Sequence, residues 1–297
     1  MKKILCTNPI NTLNRLLLTC LAASPSIALA NADAAMTLRQ KHASLGPQLR
    51  QNQFRKPLVL DSLQSAKRLQ GDVYAVVDHP FNKVSVGLNN PGNWCDLLLL
   101  HINTKYCHAE SAQSDTVLKL NFGKKTPGEL EDVPQVEFQY KPASVTSEYL
   151  DIGLDAKNGP LGTSNYRIRL QAVALPNAQT FLHLSYAYDT SFPGRLAMQT
   201  YLGTVGSGKI GFTAVGKQED GRPDYIDGVR AMVERNTMRF YLAVDTYLAF
   251  PGAAQLEKRL YGWFMATERY ALQLHEMDKD TYLQMKRAEY IRQQTPQ

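Results

Sequence analysis

Residues 71–98 read "GDVYAVVDHPFNKVSVGLNNPGNWCDLL", and they change character twice. Val73 to His79 is a β-branched and aromatic run, which predicts a strand. Pro80-Phe81 turns the chain, because proline donates no ladder hydrogen bond and steers its predecessor away from helix. "PFNKVSVGLNN" then predicts a short helix, and the pair Asn93-Trp94 follows after a short break. An early strand handing over to helix points to an insertion between strands.

The flanking sequence fills in the rest. In "VPQVEFQYK", Val136, Phe138 and Tyr140 alternate with Gln135, Glu137 and Gln139. In "NYRIRLQAVAL", Tyr166, Ile168, Leu170 and Ala172 alternate with Arg167, Arg169 and Gln171. Leu182, Leu184, Tyr186 and Tyr188 form one face of "TFLHLSYAYD", and Leu118, Leu120 and Phe122 one face of "TVLKLNF". This period predicts antiparallel strands with one solvated face. "KNGPLG" and "LPNAQ" supply turn chemistry, and "PLVLDS" reads as one more early strand. From Val229 the spacing of Met232, Val233, Phe240, Tyr241, Val244 and Leu248 becomes helical, until Pro251-Gly252. Leu256, Leu260, Trp263, Phe264, Ala271 and Leu274 make a second amphipathic stripe. "DKDTYLQMKRAEYIRQQ" forms a polar final helix with Asp278 as N-cap, and "PGRLAMQTYL" another short helix. The expected fold is α+β: a curved antiparallel sheet gripping a long C-terminal amphipathic helix, with a helical insertion after an early strand. Residues 56–297 read as a single domain with extra C-terminal helices; no linker or internal repeat divides them.

The "DHPF" turn between strand and helix, followed by Asn93-Trp94, resembles the start of START-like (helix-grip, polyketide-cyclase-type) domains. The order of later strands and the long helix extends the likeness over roughly residues 57–275. It is a likeness of architecture and a loose motif; it names no catalytic residue. It implies a cavity between sheet and helix that holds an apolar ligand.

The N-terminus bears on compartment. Lys2, Lys3 and Arg15 precede the uncharged "LLLTCLAASPSIALA" (16–30), which ends in the small-x-small pattern Ala28-Leu29-Ala30. These features read as a signal peptide cleaved near Ala30. The apolar run is too short and interrupted for a membrane span. The rival reading is a lipoprotein anchored at Cys20, against which stand Thr19 and the apolar run continuing past Cys20. The whole chain has 33 basic and 27 acidic residues. Removing residues 1–30 takes away three basic residues and no acid, leaving 30 against 27, a net charge of +3. Without a basic stripe, nucleic acid is not an expected partner. The processed chain is expected in the periplasm or secreted, and not integral to a membrane. Residues 31–55 read as a mobile polar leader with room for one short helix.

Cys6 and Cys20 leave with such a signal, so Cys95 and Cys107 remain as a pair. In an oxidising compartment they are expected to form a disulfide. A zinc site recruiting Cys95, His101, Cys107 and His108 is the alternative. On a strand His108 would point away from His101 and Cys107, so no metal and no cofactor is expected.

Other motifs weigh less. "GTVGSGKI" (203–210) approaches a phosphate-binding loop but has Ile210 where Ser or Thr is needed, and reads as a flexible loop before a strand-like "KIGFTAVG". In "RAMVERNTMRFYLAVD", Arg230 with Glu234 and Arg235 with Arg239 are four apart. This spacing predicts an exposed ion-paired face, or polar anchors for a ligand headgroup. Asp78 beside Pro80 reads as turn or cap chemistry, and His183, between Leu182 and Leu184, as facing solvent.

The leading expectation is a non-enzymatic binding protein for a lipid or other apolar small molecule. Candidate ligand contacts are Trp94, Tyr140, Tyr166, Tyr186, Tyr188, Glu234, Arg235, Tyr241 and Trp263, because large amphipathic rings and a few polar anchors suit such a pocket. The alternatives are a cyclase- or hydrolase-type enzyme using the same pocket, and an envelope interaction protein docking through "QMKRAEYIRQQ".

Overall fold

The computed structural model describes residues 25–295 apart from 113–114, 129, 132, 161, 192–193 and 195–207. Most of the expected signal segment, the helix expected over "PGRLAMQTYL" and most of "GTVGSGKI" lie outside the described residues. The chain makes β1 (Leu58–Gln64) and β2 (Arg68–Val77), then an insertion of α3 (Phe81–Leu88) and α4 (Pro91–Leu98). It continues with β3 (Thr104–Ala112), β4 (Asp115–Phe122), β5 (Gln135–Val145), β6 (Tyr149–Asn158), β7 (Thr163–Leu175) and β8 (Gln179–Thr190). These eight strands form one antiparallel sheet in the order β1-β2-β8-β7-β6-β5-β4-β3. The insertion therefore carries the chain from beside one edge, β2, to the opposite edge, β3. The meander then returns until β8 pairs with β2, Val73 opposite Leu184. This is the helix-grip arrangement expected of a START-like chain.

The strands follow their alternation. In β2 every second residue is buried, from Leu69 to Val77. Pro142 lies inside β5 where the register to β6 shifts, the place in a sheet interior where a missing N–H is tolerated. α4 is a helix the sequence reading did not assign. Asn90 caps it by accepting from the Gly92 amide at 2.9 Å, and Pro91 stands at its first turn. α4 turns Cys95 toward β3, where it is bonded to Cys107 with an S–S distance of 2.00 Å. That bond consumes both thiols, so they are not zinc ligands.

After the two short strands β9 (Ala214–Lys217) and β10 (Pro223–Tyr225), α5 (Gly228–Ala249) crosses the concave face against β1, β2 and β8. The strand-like stretch thus begins at Ala214, not Lys209. The approach is close because Gly71 has no side chain: a Cβ there would stand 2.2 Å from Thr237 Oγ1 on α5. α6 (Leu256–Glu268) packs behind α5, followed by α7 (Ala271–Leu274).

α8 (Lys279–Gln293) starts at the expected cap, the Asp278 carboxylate accepting from the Thr281 amide at 2.9 Å. One face of it is packed on the domain. It lies on β3 with Tyr282, Met285, Lys286 and Glu289 buried. Glu289 receives Lys105 at 2.9 Å and Lys286 at 2.8 Å, while Lys286 also donates to the His101 and Thr104 carbonyls. Enclosed charges are tolerated only when paired and hydrogen-bonded in this way.

The expectation of a mobile leader is corrected. α1 (Pro25–Ser44) and α2 (Gly46–Arg50) lie on the outer sheet face, where Ala35, Leu38, Leu45 and Leu49 pack with Tyr149, Val173 and Phe181. His42 packs on Phe181 and the Lys41 ammonium sits over the Tyr74 ring at 4.8 Å. The apolar residues of this helix are not gathered into one stripe in the sequence; it is held by an apolar patch on strands far along the chain. Its cover also corrects the solvent-facing reading of His183, which is half-buried, stacked on Tyr74 at 4.3 Å and 2.8 Å from Asp72.

Candidate functional site

The concave face of β5, β7 and β8 carries a row of aromatic rings. Tyr166 stacks on Tyr188 at 5.1 Å, meets Tyr186 at 6.3 Å and meets Phe138 edge-on at 6.2 Å. Tyr186 packs on Phe240 of α5 at 5.1 Å, and Phe240 stacks on His101 at 4.7 Å. Alternation along β7 and β8 places the three tyrosines on the inward face, and the register brings Ile168 opposite Tyr186.

Burial raises the pKa of Tyr166, Tyr186 and Tyr188, with mutual repulsion adding to it for the last two. All three hydroxyls therefore stay protonated over any physiological range. Tyr166 donates to Thr163 Oγ1 at 2.9 Å. The hydroxyls of Tyr186 and Tyr188 make no hydrogen bond to protein among the described residues, although the side chains are 8% and 2% exposed. At the far end of the row, His101 is enclosed. Its Nδ1 accepts from the Asn103 amide at 3.2 Å, and its Nε2 has no hydrogen-bond partner among the described residues. Burial, then Arg239 and Lys286, hold its pKa well below the ordinary value, so the ring is neutral.

The structure thus gathers Tyr166, Tyr186 and Tyr188, with Tyr140 further along the sheet on β5. The Tyr140 hydroxyl reaches the Leu88 carbonyl and Asn89 Oδ1 at 3.5 and 3.4 Å, and burial pushes its pKa up to about 12. The other predicted residues stand elsewhere. Trp94 is a core peg of α4, its indole N–H donating to the Leu88 carbonyl at 2.7 Å. Trp263 joins α6 to α5 through the Arg239 carbonyl at 3.2 Å and stacks on Tyr282. Tyr241 is buried in the main core.

The charged segment of α5 is not an exposed ion-paired face, because Glu234, Arg235 and Arg239 are buried. Nor does Glu234 face the tyrosine row. Its carboxylate accepts from the Phe212 and Thr213 amides at 2.6 and 3.0 Å, and from the Ser62 and Thr213 hydroxyls at 2.5 and 2.6 Å. Arg235 donates to the Ile210 carbonyl at 3.0 Å, and Arg239 meets Glu276 at 2.7 Å. Asp78 does not cap α3; it accepts from Gln179 at the start of β8.

Phe240 and His101 complete the row and were not among the predicted contacts. Phe240 was visible only as one apolar helix position among several. His101 was read only as a possible zinc ligand. Among the described residues no group of three or more His, Cys, Asp or Glu side chains is placed to hold a metal ion. Two small clefts lie among the described residues. One, of about 10 Å³, lies by Arg239, Trp263 and Glu276; the other, of about 150 Å³, lies by Phe54, Phe212 and Tyr270. Neither is lined by the tyrosine row. No helix among the described residues is long and apolar enough to cross a membrane.

No protein-family model matches the chain, and no curated protein does. Among solved structures it is similar to truncated norcoclaurine synthase from Thalictrum flavum at 16% identity, over 48% of this chain and 91% of that one, with a TM-score of 0.33. The Zhui aromatase/cyclase from Streptomyces sp. R1128 aligns at 11% identity over 75% of this chain and 96% of its own, TM-score 0.32. Human StAR-related lipid transfer protein 5 aligns at 10% identity over 55% and 84%, TM-score 0.30. The strand order and the gripped helix α5 make this chain a START-like, helix-grip fold.

Proposed function

We propose that this protein binds an apolar small molecule on the concave face, beneath α5, and that the ligand carries a hydrogen-bond acceptor. The observation that supports this is the pair of hydroxyls on the largely buried Tyr186 and Tyr188, which make no hydrogen bond to protein among the described residues. A ligand acceptor would give these O–H groups a partner, and the surrounding rings supply the apolar contact. The protein works in an exported, oxidising compartment; supporting this are the N-terminal charge pattern, Ala28-Leu29-Ala30 and the Cys95–Cys107 bond.

Native mass spectrometry of the full chain expressed with its own N-terminus, followed by organic extraction, tests both parts. The expected result is a chain starting at Asn31 with a near one-to-one apolar adduct. Tyr186→Phe and Tyr188→Phe are expected to lower occupancy several-fold without loss of thermal stability. Adduct occupancy unchanged in the double variant would remove the hydroxyls from the site, and a wild-type chain that carries nothing and takes up no apolar compound would reject ligand binding altogether.

A further inference from the structure

The cleft of about 150 Å³ lies away from the tyrosine row, at a junction of four separate segments. Residues 53–54 follow α2, Phe212 precedes β9, Tyr225 ends β10, and residues 269–273 join α6 to α7. Three rings form one wall as a near-equilateral triangle. Phe54 and Phe212 are 5.7 Å apart, Phe54 and Tyr270 6.0 Å, and Phe212 and Tyr270 5.8 Å. The Tyr270 hydroxyl is already satisfied by the Phe54 carbonyl at 3.1 Å, and Phe54 and Phe212 are buried behind it.

Gln53, Tyr225, Arg269 and Gln273 also line the cleft, and Gln53 donates its side-chain amide to the Phe212 carbonyl at 2.8 Å. Gln273 is only 7% exposed, yet its side-chain amide makes no hydrogen bond to protein among the described residues. Arg269 is exposed at the rim and forms no ion pair among the described residues. The Gln273 amide is reached from the open cleft, so a ligand group can bond to it there. An engineered cavity of about 150 Å³ accepts benzene, which sets the size of ligand that suits this space. A planar ring meets the aromatic wall, and a carboxylate on that ring meets the Gln273 N–H and the planar fork of Arg269.

We infer that this cleft is a second binding site, for a small aromatic carboxylate. The site shares no lining residue with the tyrosine row, so it stands or falls separately from the ligand proposed there.

Calorimetric titration of the full chain with benzoate, benzyl alcohol and acetate tests the assignment. Benzoate is expected to bind one-to-one with a Kd on the order of 1 mM, the range open to so few atoms. Benzyl alcohol and acetate are each expected to bind at least about tenfold more weakly, since each lacks one half of the recognition. Arg269→Ala, an exposed substitution, is expected to weaken benzoate about tenfold and bring it level with benzyl alcohol. Gln273→Leu is expected to weaken benzoate to a similar degree, and Tyr186→Phe to leave it unchanged. Equal affinity for benzoate and benzyl alcohol in the wild type would overturn the carboxylate, and insensitivity to both Arg269→Ala and Gln273→Leu would move any binding to another place. Absence of saturable benzoate binding would overturn the site.

Discussion

The grip of α5 on the sheet depends on a missing side chain, and Gly71→Ala tests it. A Cβ at position 71 would stand 2.2 Å from Thr237 Oγ1, 3.0 Å from its Cβ and 3.4 Å from its Cγ2. Thr237 has no free rotamer to offer. It is fully buried, and its hydroxyl donates to the Val233 carbonyl at 2.8 Å. Strand and helix must therefore separate, an overpacking cost of ~1–3 kcal/mol. Replacing glycine in a strand regains ~0.5–1 kcal/mol through the unfolded chain. The net expectation is a destabilisation of about 1–2 kcal/mol, with the melting temperature falling roughly 2–4 °C for each kcal/mol. Thr237→Ala removes the two methyl and hydroxyl contacts, so the double variant is expected to recover much of the loss, with a coupling of about 1 kcal/mol in the cycle. The assay is urea unfolding followed by circular dichroism, for wild type, both single variants and the double. Gly71→Ala within about 0.3 kcal/mol of wild type, or strictly additive changes, would refute the close approach; both fall inside the scatter of independent sites.

Replacing Cys95 and Cys107 together by alanine is expected to cost about 3 kcal/mol, from the chain entropy of a short closed loop, read as a lower urea midpoint. Glu234→Gln is expected to cost about 1–3 kcal/mol, because an NH2 takes the place of the oxygen that accepts from the Ser62 and Thr213 hydroxyls, and a neutral carbonyl accepts more weakly from the Phe212 and Thr213 amides; faster hydrogen exchange at those two amides would report it. His101 and His42 have folded-state pKa values lowered by burial, so as pH falls below about 6.5 the unfolded chain takes up protons that the folded chain refuses. Stability is therefore expected to fall between about pH 6.5 and 5, and His101→Gln to flatten most of that slope in urea midpoints measured across the range.

Much of the scaffold was legible because burial follows backbone period. The strands containing Phe138, Ile168 and Leu184 bury the positions their alternation marks, whereas the helix containing Val233 and Val244 is buried nearly all round, from Thr237 to Val244 without a break. The Cys95–Cys107 pairing was legible from the cysteine count and from the oxidising compartment that the N-terminus leads one to expect. β6 escaped, because "YLDIGLDAKN" mixes Asp and Gly into a strand whose first four residues are all buried. The α1 contact escaped for a related reason. The apolar patch of Tyr149, Val173 and Phe181 lies on the sheet face that alternation assigns to solvent, and only a helix from another part of the chain makes it interior.

The candidate site divides in the same way. Inward tyrosines on β7 and β8 follow from alternation within each strand. Their grouping, the two hydroxyls without a protein partner among the described residues and the contact with Phe240 depend on strand register and on where α5 lies. Glu234 shows the limit most clearly. Its spacing from Arg230 predicts a surface ion pair, but the fold brings two backbone amides and two hydroxyls to its carboxylate. Local sequence determines which face a residue takes, because that is set by a few dihedral angles. Which distant group meets it on that face is decided by the packing of the whole chain.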